Sequence, residues 1–255
     1  MSRNNHYVPR FFTRPWEVEE RRLVCVTTDP SNVRRAASKT LFSQTGLNSD
    51  EVEAWFQRIE SRVAEARRRM VAASAGAGLI PARGFPDDDL DTLIALLMLQ
   101  LHRSGTVLVS DPFVQTLDSL ASYDDSWLAD LAKGARQAAV YFVARVPSGV
   151  SFPEGAFFLV PVAGAPDHIY GFPLSPELVV VAAPRTLSDA QLEALHSHLT
   201  NSKMMTALSC GLGRFGRRVV VAPTWVDEFD DTVLCETVRQ CQQIAAAQYK
   251  VAAST

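Results

Sequence analysis

The chain has 255 residues, of which 47% are hydrophobic and 21% charged, with a formal net charge of −3. This is the composition of an ordinary globular protein, and the length suffices for one large core or two smaller ones. The weak negative charge excludes a nucleic-acid coat protein with an overall positive surface, although it allows a local basic cleft. No apolar run reaches the length of a membrane span, and the start lacks a signal-peptide core. We therefore expect a cytoplasmic protein without membrane contact.

Residues 5–12, the opening motif, concentrate polar and rigid side chains in one short segment. Pro9 fixes its own φ and favours an extended residue before it, which predicts a turn or a helix start. Phe11 and Phe12 are expected to anchor the following chain in a core, so that polar groups are held from a rigid base. These polar groups are His6, Tyr7 and Arg10.

After this motif, residues 22–28 form a predicted strand that ends at Asp29-Pro30, and a loop follows to Gly46. The segment Asn48-Ser49-Asp50-Glu51 indicates the capped start of a long helix with acids in its first turn. Its apolar stripe recurs at helical spacing and consists of Val52, Phe56, Ile59, Val63, Ala66 and Met70.

Glu60 lies at the margin of that stripe, about 40° around the helix from Phe56 at about 100° per residue. From there it can point into a cleft. The alternative is a boundary glutamate that pairs with an arginine on the same surface.

Residues 72–83 have the composition of a linker, and Asp87-Asp88-Asp89 then precede a predicted helix over 90–103. Capping and the helix dipole explain these acids better than a metal site does. The helix is apolar on nearly every side, which predicts burial. Gln100 and Arg103 continue the line of its leucines, and a buried arginine needs a carboxylate, a carbonyl or an anionic ligand.

The second half of the chain is predicted as further elements in sequence order. They are helices over 111–122 and 126–145, strands over 156–160 and 177–182, a helix from the capping box at Ser188 to about Cys210 stopped by Gly211, a strand over 217–222, and a final helix over 231–251.

Several motifs suggest cofactor or metal sites, but their spacing or structural context does not fit such a site. Gly211 to Gly216 spell G-x-G-x-x-G, but a predicted helix precedes them and a strand follows, the reverse of a dinucleotide site. His196 and His198 would lie about 200° apart on a helix, and the four cysteines contain no C-x-x-C. We therefore expect no cofactor, no metal and no disulfide.

The segment His-Tyr-Val-Pro-Arg-Phe at His6 resembles the opening signature of the bacterial domain-of-unknown-function 4238 family. Further similar pieces follow in order: Glu60 on a charged helix, Gln100 with Arg103, and Phe172 to Pro176 before an apolar strand. The resemblance implies a shared fold. Members often carry Ser-Asp-Asn-Pro after a mid-chain strand, where this chain has Pro161-Val-Ala-Gly-Ala-Pro166.

These patterns together predict an α+β fold with a helical middle, a small, mainly antiparallel sheet from early and late strands, and a C-terminal helix. We expect a single domain over residues 1–255. The alternative is a division near residue 150 into a helical part and a β-rich part.

The functional hypothesis is a His/Glu/Arg pocket, in a hydrolase of a phosphate-containing substrate such as a nucleotide or nucleic acid. His6 and Glu60 would be catalytic, with His6 as the general base or acid and Glu60 as its orienting group or a second acid/base group. The ligand-binding residues would be Tyr7, Arg10, Gln100, Arg103 and Asn201, with the arginines as an anion clamp.

Two alternatives stay open. The first is a non-catalytic binding or regulatory protein that recognises an anionic ligand or a protein partner, which the missing Ser-Asp-Asn-Pro favours if its aspartate is catalytic in relatives. In the second, Glu60 and Arg103 form a buried ion pair and the cluster is purely structural. The sequence leaves the oligomeric state open.

Overall fold

A computed structural model of the chain describes residues 4–6, 8–27, 32–45, 50–74, 79–81, 85–108, 125–165, 169–211 and 218–253. The helices in these ranges are α1 (Arg10–Thr13), α2 (Asp50–Ala73), α3 (Asp87–Leu108), α4 (Asp125–Ala138), α5 (Asp189–Thr200), α6 (Ser202–Cys210), α7 (Pro223–Glu228) and α8 (Asp231–Ala253). The strands are β1 (Asn4–His6), β2 (Arg22–Thr27), β3 (Val33–Ala37), β4 (Ser43–Thr45), β5 (Leu79–Pro81), β6 (Ala139–Arg145), β7 (Phe152–Pro153), β8 (Phe158–Leu159), β9 (Tyr170–Ser175), β10 (Leu178–Pro184) and β11 (Arg218–Val220).

The described strands form three sheets. A five-stranded sheet has the order β5-β6-β10-β9-β8, a four-stranded sheet has the order β3-β2-β11-β7, and β1 pairs with β4. All of these pairs are antiparallel. The predicted α+β fold is thus confirmed: the four-stranded sheet joins early and late strands, and α8 closes the described chain. The five-stranded sheet is larger than the sequence indicated.

The central strand β10 divides the core into two layers, because successive side chains of a strand point to opposite faces. Val180 and Ala182 pack with residues of α2 and α3, such as Val63 and Leu93. On the other face, Val179, Val181 and Ala183 pack with residues of α5 and α6, including Leu195, Leu199, Met205 and Leu208. Helices α2 and α3 therefore lie on one side of this sheet and α5 and α6 on the other.

Three acids near the start of α3 tie it to its neighbours. Asp89 is 5% exposed and accepts a hydrogen bond from Nε of Arg69 on α2 at 2.9 Å. Asp91 accepts one from Nη1 of Arg136 on α4 at 2.7 Å, and Asp87 binds the same guanidinium. The acid run lies in the first turn of α3, as expected for the helix dipole, and it also fixes α2 and α4 against α3.

The structure corrects the sequence-based elements at several points. The segment expected as a loop before Gly46 contains β3 and β4, and the helix expected over 126–145 ends at Ala138 and continues as β6. The predicted helix from Ser188 begins with the expected capping box but breaks at Asn201 into α5 and α6. The helix predicted over 111–122 lies outside the described residues.

No helix in the described ranges has the length and apolar character needed to cross a bilayer. The largest apolar cluster draws residues from both sides of position 150, among them Phe12, Val63, Phe152 and Val220. The number of domains stays a prediction.

Candidate functional site

The opening motif is anchored at both ends of its described part. His6 ends β1 and pairs in register with Ser43 of β4, while its side chain and all of Tyr7 lie outside the described residues. Pro9 precedes the first residue of α1, so the helix start predicted at this proline is confirmed. Val8 and Phe12 are 1% and 2% exposed, which fixes the backbone that carries the polar groups.

Arg10 is half-buried at the start of α1. Its Nη2 donates a long hydrogen bond of 3.5 Å to Oγ of Ser38, a buried residue after β3. Its Nε is buried and finds no acceptor among the described residues. Part of this guanidinium is therefore removed from water without a compensating anion, an arrangement that costs free energy.

Arg67 on α2 joins the opening motif to β9. Its Nη1 donates to the carbonyl oxygen of Phe11 at 3.0 Å, and its Nε donates to the carbonyl oxygen of Leu174. Leu174 belongs to the Phe172–Pro176 segment, so one guanidinium links two of the motifs noted in the sequence. The described part of the chain offers Arg67 no carboxylate partner.

Burial lowers the pKa of Arg67 to about 10. The cause is desolvation, which disfavours the charged form, and no acid among the described residues opposes it. Arg67 is nevertheless cationic at neutral pH. It is a partly desolvated cation whose only described partners are neutral carbonyl oxygens.

Glu60 lies on the same flank of α2 as Arg67. The two residues are seven positions apart, which places them about 20° apart around the axis and about 10 Å apart along it. Glu60 is half-buried. This flank faces the opening motif, because Arg67 donates a hydrogen bond to the carbonyl oxygen of Phe11.

Gln100 is fully buried on α3 among leucines that include Leu96 and Leu99. The burial expected for this helix is thus observed at Gln100. Arg103 belongs to α3, but its side chain lies outside the described residues. The convergence of His6, Arg10, Glu60 and Arg103 therefore stays a prediction.

Asn201 lies in a different part of the fold. Its side-chain oxygen accepts the backbone N–H of Met204 at 3.1 Å and caps α6. The five-stranded sheet separates this helix layer from α2 and α3, so Asn201 lies on the opposite side of the sheet from Glu60 and Gln100. Its assigned ligand-binding role stays a prediction.

The sequence hypothesis missed Arg67, although a signal was present. The angular step that places Glu60 at the stripe margin also places Arg67 there, about 20° around the helix from Phe56 and closer to the stripe than Glu60. A basic residue at the margin of an apolar helix face is a candidate for partial burial. For metals, the described residues contain no cluster of three or more His, Cys, Asp or Glu side chains that could hold an ion.

Fold and site together define an α+β protein whose amino-terminal motif is held on a helical layer by a half-buried arginine. The family model described as "Protein of unknown function (DUF4238)" matches residues 4–140, more than half of the chain. The chain belongs to this family, as its opening motif suggested. The match ends before Phe172, so that segment lies outside it. No curated protein and no solved structure matches the chain.

Proposed function

We propose that the protein binds a phosphate-bearing ligand where the opening motif meets α2. The observation that supports this is Arg67, a desolvated cation held by two carbonyl oxygens and by no described carboxylate. Neutral acceptors satisfy its hydrogen bonds, and no carboxylate of the described ranges compensates its charge. A ligand with negative charge gains a charge-assisted contact there, and guanidinium groups suit phosphate in particular.

Arg10, on the opening-motif side of the contact with α2, supports the same proposal. It directly precedes Phe11, whose carbonyl oxygen Arg67 binds, and its buried Nε has no acceptor among the described residues. An anion reaching Nε would satisfy a group that otherwise carries a desolvation cost. Two cations for which the described part of the chain provides no carboxylate favour a ligand over a purely internal ion pair.

Hydrolysis of the bound phosphate ester is the second candidate function. The observation that favours it is the position of Glu60, a half-buried carboxylate on the flank of α2 that carries Arg67. In this function, His6 is the general base, Glu60 orients it, and Arg10 and Arg67 hold the phosphate. Arg103 would add a further cation.

The binding proposal is tested with Arg67→Met and, as a matched control, Arg68→Met. Arg68 is the next residue on α2 but is exposed and pairs with Glu65. Thermal melts and calorimetric titrations with inorganic phosphate, mononucleotides and a short oligonucleotide compare the variants with wild type. We expect phosphate-bearing compounds to raise the Tm of wild type and of Arg68→Met, but not that of Arg67→Met.

Arg67→Lys separates the effect of the charge from the effect of the guanidinium geometry. Lysine keeps the positive charge, but it lacks the planar group that donates to two carbonyl oxygens at once. We expect this variant to bind more weakly than wild type and more tightly than Arg67→Met. Equal ligand-induced shifts in wild type and Arg67→Met would refute binding at this site. A wild-type protein that binds phosphate compounds but turns none over would refute hydrolysis alone.

For the hydrolytic candidate, turnover of nucleotides, oligonucleotides and small phosphoesters is compared between wild type and His6→Ala. Loss of a general base lowers kcat by about 10²–10⁴-fold with little change in binding. Glu60→Gln should lower kcat in the same direction, because it removes the charge that orients His6. Undiminished turnover in His6→Ala would exclude the catalytic role of this histidine.

A further inference from the structure

A cleft with a volume of about 370 Å³ opens over α3, between α2 and α4. Its apolar part consists of Ile59, Ala95, Leu128 and Ala132, all of them buried. Small residues at two of these positions leave the space that a leucine or phenylalanine would fill. The volume lies at the lower end of the range of small-molecule sites.

This cleft is separate from the proposed phosphate site. Ile59 and Arg62 point about 80° and 140° away from Arg67 around α2, because each residue turns the helix by about 100°. Among the predicted site residues whose side chains the structure describes, which are Arg10, Glu60, Gln100 and Asn201, none lines the cleft. The stripe of α2 thus has one flank toward the opening motif and another toward α4.

Charged groups surround the apolar floor unevenly. Three cations, Arg62, Lys133 and Arg136, line the cleft together with two acids, Asp91 and Asp125. Arg136 is held by Asp91 at 2.7 Å and also binds Asp87. It is therefore already neutralised by two carboxylates.

The other two cations are more available. Arg62 reaches Asp125 at 3.5 Å, and both side chains are more than half exposed, so this ion pair is weak. Lys133 is exposed and forms no ion pair within the described ranges. Thr92, half-buried on α3, adds a hydroxyl to the same lining. An anionic head group thus finds a free lysine and a weakly held arginine.

We infer that this cleft binds a small amphipathic carboxylate, with its apolar body over Ala95 and Ala132 and its head group at Lys133 and Arg62. The apolar floor favours a hydrocarbon or aromatic body. Lys133, which has no carboxylate partner among the described residues, and the weakly paired Arg62 favour an anionic head over a cationic one.

Decanoate is the test ligand, and decyltrimethylammonium, with the same chain and a cationic head, is its matched control. Binding to the full chain is measured by isothermal titration calorimetry. We expect one decanoate per chain, and affinity for the cationic analogue at least about tenfold lower, the value of one charge-assisted contact. Absence of saturable decanoate binding, or equal affinity for the cationic analogue, would overturn the inference.

Two variants locate the ligand. Ala129→Phe fills the rim of the cleft from an exposed position on α4, so it should abolish binding while the melting curve stays that of wild type. Lys133→Met should weaken decanoate by about tenfold. Lys250→Met, at an exposed position on α8, should leave the affinity unchanged. Wild-type affinity in a folded Ala129→Phe protein would place the ligand elsewhere and refute the site.

Discussion

The carboxylate of Asp89 accepts the Nε–H of Arg69 at 2.9 Å and so joins the first turn of α3 to α2. Hydrogen bonds from Arg69 hold the pKa of Asp89 below its usual range, against the opposing effect of burial. A carboxyl whose pKa is lower in the folded state stabilises the fold above its unfolded pKa. That contribution is lost as the pH falls through the folded-state value.

We therefore predict that Asp89→Asn removes part of the acid sensitivity of the fold. The variant should melt at a lower temperature than wild type at pH 7, and the difference should shrink below about pH 4, where the unfolded carboxyl takes up its proton. Asp88→Asn is the control, since Asp88 is the adjacent residue but is exposed. Melting curves from pH 7 to pH 2 that are the same for both variants would contradict the role of the ion pair.

Gly171 in β9 is predicted to tolerate no side chain. It pairs with Phe158 of β8, and a Cβ at Gly171 would lie 2.5 Å from two atoms of that ring. Gly171→Ala should lower the free energy of unfolding by about 1–3 kcal/mol through overpacking, measured by urea denaturation.

Gly134 on α4 gives the opposite expectation and serves as the control for Gly171. A Cβ there meets nothing within 4 Å. Gly134→Ala should stabilise the fold by about 0.5–1 kcal/mol, because alanine loses less conformational freedom in a helix.

The clash at Gly171 is tested with a second variant. Phe158→Leu should relieve part of the destabilisation caused by Gly171→Ala. Additive changes in the free energy of unfolding in the double variant would argue against the clash.

Asn201 is predicted to act as a helix cap. Asn201→Ala should lower the free energy of unfolding by about 1 kcal/mol, because the N–H of Met204 loses its acceptor. Asn201→Asp retains an acceptor oxygen and should stay close to wild type. If Asn201 contributes only this cap, both variants bind inorganic phosphate as wild type does; weaker binding in a folded Asn201→Asp protein would instead support the ligand role.

The cysteines should differ sharply in reactivity. Burial raises the pKa of Cys25 to about 12, while a hydrogen bond from the thiol of Cys210 lowers the pKa of Cys241. Cys241 is also partly exposed, whereas Cys25 and Cys210 are buried. Because the thiolate is the nucleophile, iodoacetamide at pH 8 should alkylate Cys241 in the native protein and spare Cys25 and Cys210. Peptide mass spectrometry measures this, and alkylation of Cys25 before Cys241 would contradict it.

Features with a local cause were predictable from the sequence. The apolar stripe of α2 and the capping box at Ser188 depend on residues within a few turns of one another, and the structure confirms both. Strand β6 was predicted as helix, because residues 126–138 carry helical signals and the strand is specified by pairing with β5 and β10. Such pairing partners are distant in sequence and leave no local signature.

The candidate site likewise contains features with a local cause and features that depend on distant residues. The boundary position of Glu60 was predicted from its place on the helix, and its half-buried side chain on α2 agrees with that geometry, while its catalytic role stays a prediction. The link made by Arg67 could not be found, because its acceptors are backbone carbonyls, 56 and 107 positions away in the chain, and any residue type supplies such an oxygen. The space over α3 depends on how three helices pack, which side-chain periodicity does not specify.

The order of strands in the four-stranded sheet affects how the protein can fold during synthesis. Strand β2 leaves the ribosome long before β11, which pairs with it through Val26 and Val219 but lies far downstream in the chain. Until then, β2 has only β3 beside it, and two-stranded ribbons are marginal in water. Val24 and Val26 of β2 pack in a cluster with Cys210, Val219, Leu234 and Val238, all of them made later, so this face of β2 stays uncovered and exposes the nascent chain to aggregation and to chaperone capture. Stalling translation before residue 218 should leave β2 accessible to proteases, and releasing the full chain should protect it.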